Sequence, residues 1–109
     1  MKINIKGPIV RDNEAWIYDY FEMESTSPKK IQSELDKANG QSIDVDINSG
    51  GGSVFAGSEI YTAIKSYKGD VTVRIVGLAA SAASVIAMAG KKVMMSPTAQ
   101  LMIHNVSAC

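Results

Sequence analysis

Three short segments of this chain carry the residue types that can do acyl chemistry. Gly77-Leu78-Ala79-Ala80-Ser81 puts a serine just past a β-branched run and at the start of a small-residue helix. A hydroxyl there has the positive end of a helix dipole beside it. The next amide, that of Ala82, can donate to a developing oxyanion. Asn48-Ser49-Gly50-Gly51-Gly52 contains three consecutive glycines. Such a run lets the backbone turn sharply and approach another backbone closely, and it exposes N–H groups suited to an anion. Leu101-Met102-Ile103-His104 ends a short apolar strand on the only histidine. A base in that position must come within hydrogen-bond reach of its nucleophile. Taken singly, the three have ordinary readings as a helix-capping serine, a flexible turn and a surface imidazole.

Other motifs fail. No Lys-Ser/Thr follows the glycines, the G-x-G-x-x-G spacing is not met, and a G-x-S-x-G elbow is absent. Asp44 and Asp46 read as a solvated or helix-facing carboxylate pair on one side of a strand, and Lys91-Lys92 as a solvated turn. Ser84, one turn beyond Ser81, reads as a backbone-bonding or packing serine. The six methionines read as adaptable core filling.

The elements that must position these residues alternate between strand and helix. A strand over residues 3–10, bent at Gly7-Pro8, precedes a turn at Asp12-Asn13. Trp16–Phe21 is aromatic and β-prone, which predicts a second strand. Ser27 then suits an N-cap, Pro28 the first helical position and Gly40 the stop, with Ile31, Leu35 and Ala38 as the apolar stripe. Ile43, Val45 and Ile47 alternate with Asp44 and Asp46 at strand period. A helix from about Ser53 to Tyr67, a buried strand Val71–Val76 broken by Gly77, a buried helix Ser81–Ala89, and short strands Val93–Met95 and Leu101–His104 follow. This order predicts an α/β fold of βαβ units with a mainly parallel sheet, as one domain over 1–109. In such sheets ligands sit beyond the carboxyl ends of the strands, where both glycine–alanine loops lie.

Composition excludes several functions. The 109 residues carry eleven Lys+Arg against eleven Asp+Glu, with no basic block, which argues against nucleic acid as a partner. One cysteine, Cys109, and one histidine cannot assemble a zinc site of the usual kind, so no metal and no cofactor are expected. The uncharged run Ile75–Gly90, 16 residues, is short and broken by glycine and serine, and the N-terminus lacks an apolar signal core. The expectation is a soluble cytoplasmic protein with no membrane partner.

The three segments together resemble the ClpP serine peptidases. Asn48 through Gly57 resembles their glycine loop, Gly77 through Ala83 their nucleophile segment, and Leu101–His104 their histidine segment, in the same order and at similar intervals. The wording Ser-Val-Phe-Ala-Gly and Ser-Pro-Thr-Ala-Gln-Leu-Met-Ile-His-Asn is most similar to the phage and prophage branch, associated with head maturation. The resemblance implies the stacked βαβ architecture of the Clp and crotonase folds. It implies Ser81 as nucleophile, His104 as general base, and the amides of Gly51 and Ala82 as the oxyanion hole. Gly50, Gly52, Ser53 and Val54 would line an extended polypeptide substrate. It further implies a ring-like homo-oligomer, with a Clp ATPase or capsid and scaffold proteins as partners.

Two departures stand out. The family usually has Pro where Gly50 stands, which predicts a looser loop. The family also takes a third triad member, an acid, from well after the histidine, whereas these 109 residues hold no acid after Asp70. The expectation is therefore a chain cut short after the histidine segment and weak as a peptidase on its own. Two other functions compete: a crotonase-like acyl-CoA enzyme using the same two amides, which would need neither Ser81 nor His104, and an assembly subunit with a dead site.

Overall fold

A computed structural model describes residues 1–102. Its elements are β1 (Lys2–Lys6), α1 (Asp12–Tyr20), α2 (Pro28–Ala38), β2 (Ile43–Ser49), α3 (Val54–Lys65), β3 (Val71–Ala80), α4 (Ala82–Ala87), β4 (Lys92–Met95) and β5 (Gln100–Met102). The five strands form one sheet in the order β1-β2-β3-β4, and every pairing is parallel. β5 also pairs with β3, further along the same strand than β4 does. The expected α/β class with a parallel sheet is thus the observed one.

Alternation decides which face is buried. Ile43, Val45 and Ile47 of β2 stack beside Val71, Val73 and Ile75 of β3, and beside Ile3 and Ile5 of β1. These side chains, with Ile31 and Leu35 of α2, Ile60 and Ile64 of α3 and Ile86 of α4, form the core. The helix limits follow local chemistry. Ser27 Oγ accepts from Lys30 N at the start of α2, and Asn39 in the left-handed region ends it. Ser53 Oγ accepts from Ala56 N at 3.2 Å at the start of α3. At the start of β3 the Lys91 ammonium, 2.8 Å from the Asp70 carboxylate, holds that carboxyl below its ordinary value by hydrogen bonding and charge.

The six methionines fill no core, since all are 44–55% exposed, and Asp12-Asn13 open helix α1 rather than a turn; three further sequence expectations are corrected. The aromatic segment Trp16–Phe21 belongs to helix α1 and is not a strand. Aromatic β-propensity reflects packing on a pleated surface, and this segment meets no sheet: Trp16 and Tyr20 are 65% and 75% exposed. Asp12 and Glu14 in its first turn favour the helix, and Asp12 Oδ1 accepts from Lys29 N at 2.8 Å, tying α1 to the start of α2. Second, Gly77 does not end the strand; β3 runs through it to Ala80. Third, Asp46 is not a solvated carboxylate. It is 7% exposed, with Lys2 Nζ 3.1 Å from Oδ2 and Arg74 Nε 3.5 Å from Oδ1.

The core sets a first prediction. Ile75 is fully buried in the central strand. Ile75→Ala should lower unfolding stability by about 2–5 kcal/mol. Trp16→Ala, on the exposed side of α1, should stay within about 0.5 kcal/mol of the parent. Urea midpoints of the two variants, read by circular dichroism, check the contrast.

Candidate active site

The site begins with a mismatch between two strands. Ile47 pairs with Ile75, but Ser49 pairs with Ala79, so β3 spends four residues where β2 spends two. Asn48 fills the gap. Its Oδ1 accepts from Leu78 N at 3.0 Å, and its side chain lies where a Cβ on residue 77 would be. Gly77 is therefore required by close approach, which explains why a glycine stands inside a continuous strand. The extra length carries Ala79 and Ala80 past the end of β2, so that Ser81 leaves the sheet beside the glycine loop.

Ser81 occupies an unusual backbone state, with φ 53° and ψ −123°. Among the described residues it is one of three non-glycine residues with positive φ, the others being Glu22 and Asn39. Such a conformation costs about 1–3 kcal/mol and persists only when its surroundings over-determine it. They do so here. Ser81 N–H donates to Met102 O at 3.1 Å, and its carbonyl accepts from Ser84 N at 3.0 Å and from Ser84 Oγ at 2.5 Å. Ser84 thus holds the turn, in line with its expected backbone-bonding role. The side chain of Ser81 makes no hydrogen bond among the described residues and is partly exposed. A strained serine between a strand and a helix is an arrangement that motif spacing did not reveal, because the two glycines of a G-x-S-x-G elbow are replaced here by Ala79 and Ala83.

The amide neighbours differ from one another. Among the described residues Ala82 N–H has no protein acceptor, so it is available at the turn. Gly51 lies directly against this turn: a Cβ on it would stand 2.7 Å from Ala80 O, 2.8 Å from Ser81 Cβ and 3.3 Å from Ala82 N. Its φ of +100° also suits glycine alone. Its N–H, however, donates to Ser49 Oγ at 3.1 Å. The rest of the loop pairs with Ile9, through Ile9 N–H to Gly51 O at 3.0 Å and Ser53 N–H to Ile9 O at 2.8 Å. Gly52 sits within that bridge, and alternation turns its own N–H and C=O to the opposite side. Gly50 is exposed with open space around it, and Val54, at the start of α3, is exposed at the rim.

His104 lies outside the described residues. β5, which pairs Met102 with Ala80, ends two residues before it. A groove of about 740 Å³ lies between α1, α2 and β1, and none of the residues predicted to do chemistry lines it. Among the described residues no cluster of three or more His, Cys, Asp or Glu could hold a metal ion, and no helix is long and apolar enough to cross a membrane.

The family model described as Clp protease matches residues 9–109. An ATP-dependent Clp protease proteolytic subunit from Carsonella ruddii is 38% identical over 113 residues, covering 94% of this chain and 58% of the relative. A proteolytic subunit of the same description from Bacteroides fragilis is 45% identical over 68 residues, covering 61% of this chain and 33% of the relative. Among solved structures, ClpP1 from Listeria monocytogenes superposes with a TM-score of 0.75 at 27% identity, covering 94% of this chain and 55% of that one. This chain therefore spans little more than half the length of the relatives that match nearly all of it.

The strain at position 81 gives a second prediction. Ser81→Ala keeps the unfavourable backbone state, whereas Ser81→Gly relieves it. After allowing for the greater freedom of glycine in the unfolded chain, Ser81→Gly should be the more stable of the two by about 1 kcal/mol. Thermal or urea unfolding of both variants measures the difference. A more stable alanine variant would show that the positive φ at 81 is not strained.

Proposed function

The chain belongs to the Clp protease family, and from that premise we propose that it is a serine endopeptidase with Ser81 as nucleophile and His104 as general base. The observation that carries the reading is the strained turn at Ser81, which presents a hydroxyl with no hydrogen-bond partner among the described residues beside the free Ala82 amide and against Gly51. A backbone held at that cost is the expected signature of a functional group.

In this reading an extended polypeptide lies along residues Gly50–Val54 and adds a strand to the loop edge that Ile9 leaves open, with Gly52 supplying both an N–H and a C=O. Ser81 Oγ attacks the scissile carbonyl carbon while its proton passes to His104. The carbonyl oxygen takes up negative charge between the Ala82 and Gly51 amides. The C–N bond breaks as His104 returns the proton to the leaving amine. Water, deprotonated by His104, then attacks the acyl-serine and frees Ser81. Asp46 does not serve as the orienting acid, because Lys2 and Arg74 engage its carboxylate.

The relatives are named as proteolytic subunits of ATP-dependent Clp proteases. That supports a proteolytic component working with a separate Clp ATPase, since no phosphate-binding loop is present in this sequence. Val85 on α4, Met88 just after it, Val93, Met94 and Met95 on β4 and Met102 on β5 are exposed apolar side chains, which supports a ring-like oligomer. The wording of the loop and histidine segments supports a place in the phage head-maturation branch, with capsid or scaffold proteins as substrates, in the cytoplasm of the host cell.

The test is covalent labelling with a fluorophosphonate, in which serine oxygen displaces fluoride from phosphorus. The parent chain should label at Ser81, and Ser81→Ala and His104→Ala should fall to background. Hydrolysis of an unstructured peptide should follow the same pattern. No label on the parent would sink the peptidase reading and leave the crotonase-like acyl-thioester function or the catalytically dead subunit.

A further inference from the structure

We propose that Ser49 is a positioning residue for this reaction: its hydroxyl holds the Gly51 amide in the free protein and surrenders it when charge develops on the substrate oxygen. The inference rests on the peptidase reading above and adds a residue to it.

Ser49 is the last residue of β2 and is buried. Its Oγ donates its single proton to Gly7 O at 2.7 Å, so a lone pair faces the Gly51 N–H 3.1 Å away. That second bond is not needed to place the loop. Gly51 O and Ser53 N are already bonded to Ile9, at 3.0 and 2.8 Å. What the Ser49 bond sets is the direction of the N–H in the Gly50–Gly51 peptide. Glycine on both sides of that peptide, with open space at Gly50, lets it rotate without a Cβ clash. Gly51 itself touches Ser81 Cβ and stands beside Ala82 N. The rotated N–H therefore joins the Ala82 N–H at the same turn.

The two acceptors of this N–H differ in strength. Ser49 Oγ is neutral, and hydrogen bonds to a charged oxygen are roughly twice as strong as those to a neutral one. The amide stays on Ser49 while the substrate carbonyl is uncharged and moves to the oxyanion as it forms. An interaction made only at that stage raises turnover without tightening substrate binding. Ser49 also prevents a buried donor from going unpaired in the resting protein.

The test uses Ser49→Ala, which removes the acceptor, and Ser49→Cys, which keeps the side chain nearly isosteric but offers a weak acceptor and so remains informative if the alanine variant fails to fold. A peptide boronate, whose adduct with a serine oxygen mimics the tetrahedral oxyanion, is the probe. Without a Ser49 bond to give up, both variants should bind it about 2- to 10-fold more tightly than the parent, the factor expected for one neutral hydrogen bond. Fluorophosphonate labelling should accelerate in step, and kcat/KM should rise mainly through a lower KM, because the freed amide can then also bind the uncharged carbonyl. With 15N-glycine labelling, the Gly51 amide resonance should move in the free variants and converge with the parent's in the boronate adduct. Boronate affinity unchanged or weaker in the folded variants overturns the role of Ser49 while leaving the peptidase reading intact. A parent chain that neither labels at Ser81 nor binds the boronate overturns that reading, and the role of Ser49 with it.

Discussion

The register break between β2 and β3 is the constraint on which the rest of this structure depends. In an unbroken parallel ladder, Ser49 would pair with residue 77 and the two strand ends would leave the sheet together. Two extra residues in β3 instead pair Ser49 with Ala79 and bring Ser81 out level with Gly51. The break leaves backbone groups opposite Asn48 without a ladder partner, and unpaired buried groups are costly. The Asn48 side chain removes part of that cost by accepting from Leu78 N, and a glycine at 77 makes room for it. A departure from regular sheet geometry thus positions the site, as bulges near functional residues commonly do.

The second feature is how stability and reactivity are divided. β1, β2 up to Ile47 and β3 up to Ile75 obey the ordinary rules of alternation and burial, with isoleucine and valine filling one face. Within the site, the strain falls on Ser81. It is held by four hydrogen bonds at Ser81 backbone atoms, one each from the Ser84 amide, the Val85 amide and the Ser84 hydroxyl and one to the Met102 carbonyl. The donor to the Met102 carbonyl is Ser81 itself, so β5 both completes the sheet edge and locks the turn. The strand that leads toward His104 is therefore part of the scaffold of the turn at Ser81.

Small side chains serve closeness. α4 packs on α3 through Gly57, where a Cβ would stand 2.9 Å from Ala82 Cβ. The alanines of α4 that look featureless in sequence let the turn at Ser81 sit deep against both α3 and the glycine loop. The same economy of side chain leaves the loop amides as the main polar groups at the turn, which suits chemistry in which backbone N–H groups stabilise charge.

Much of this was determined by the sequence alone. Period-two alternation marked β2, capping chemistry marked α2, and the order of glycine, serine and histidine segments marked the family, because those signals are local and each residue carries its own. The tertiary structure alone decided four things. α1 is a helix because its aromatic residues find no sheet to pack on, a fact about neighbours. Asp46 is buried because Lys2 and Arg74, distant in sequence, flank it. Gly77 continues a strand because Asn48, from another strand, fills the space beside it. The positive φ of Ser81 and the bond from Gly51 to Ser49 arise where β2, β3 and β5 meet Ile9, and no window of sequence contains all of those partners. Residue types limit which groups can react. Their direction is a property of contacts between segments far apart in the chain, and only the fold supplies those.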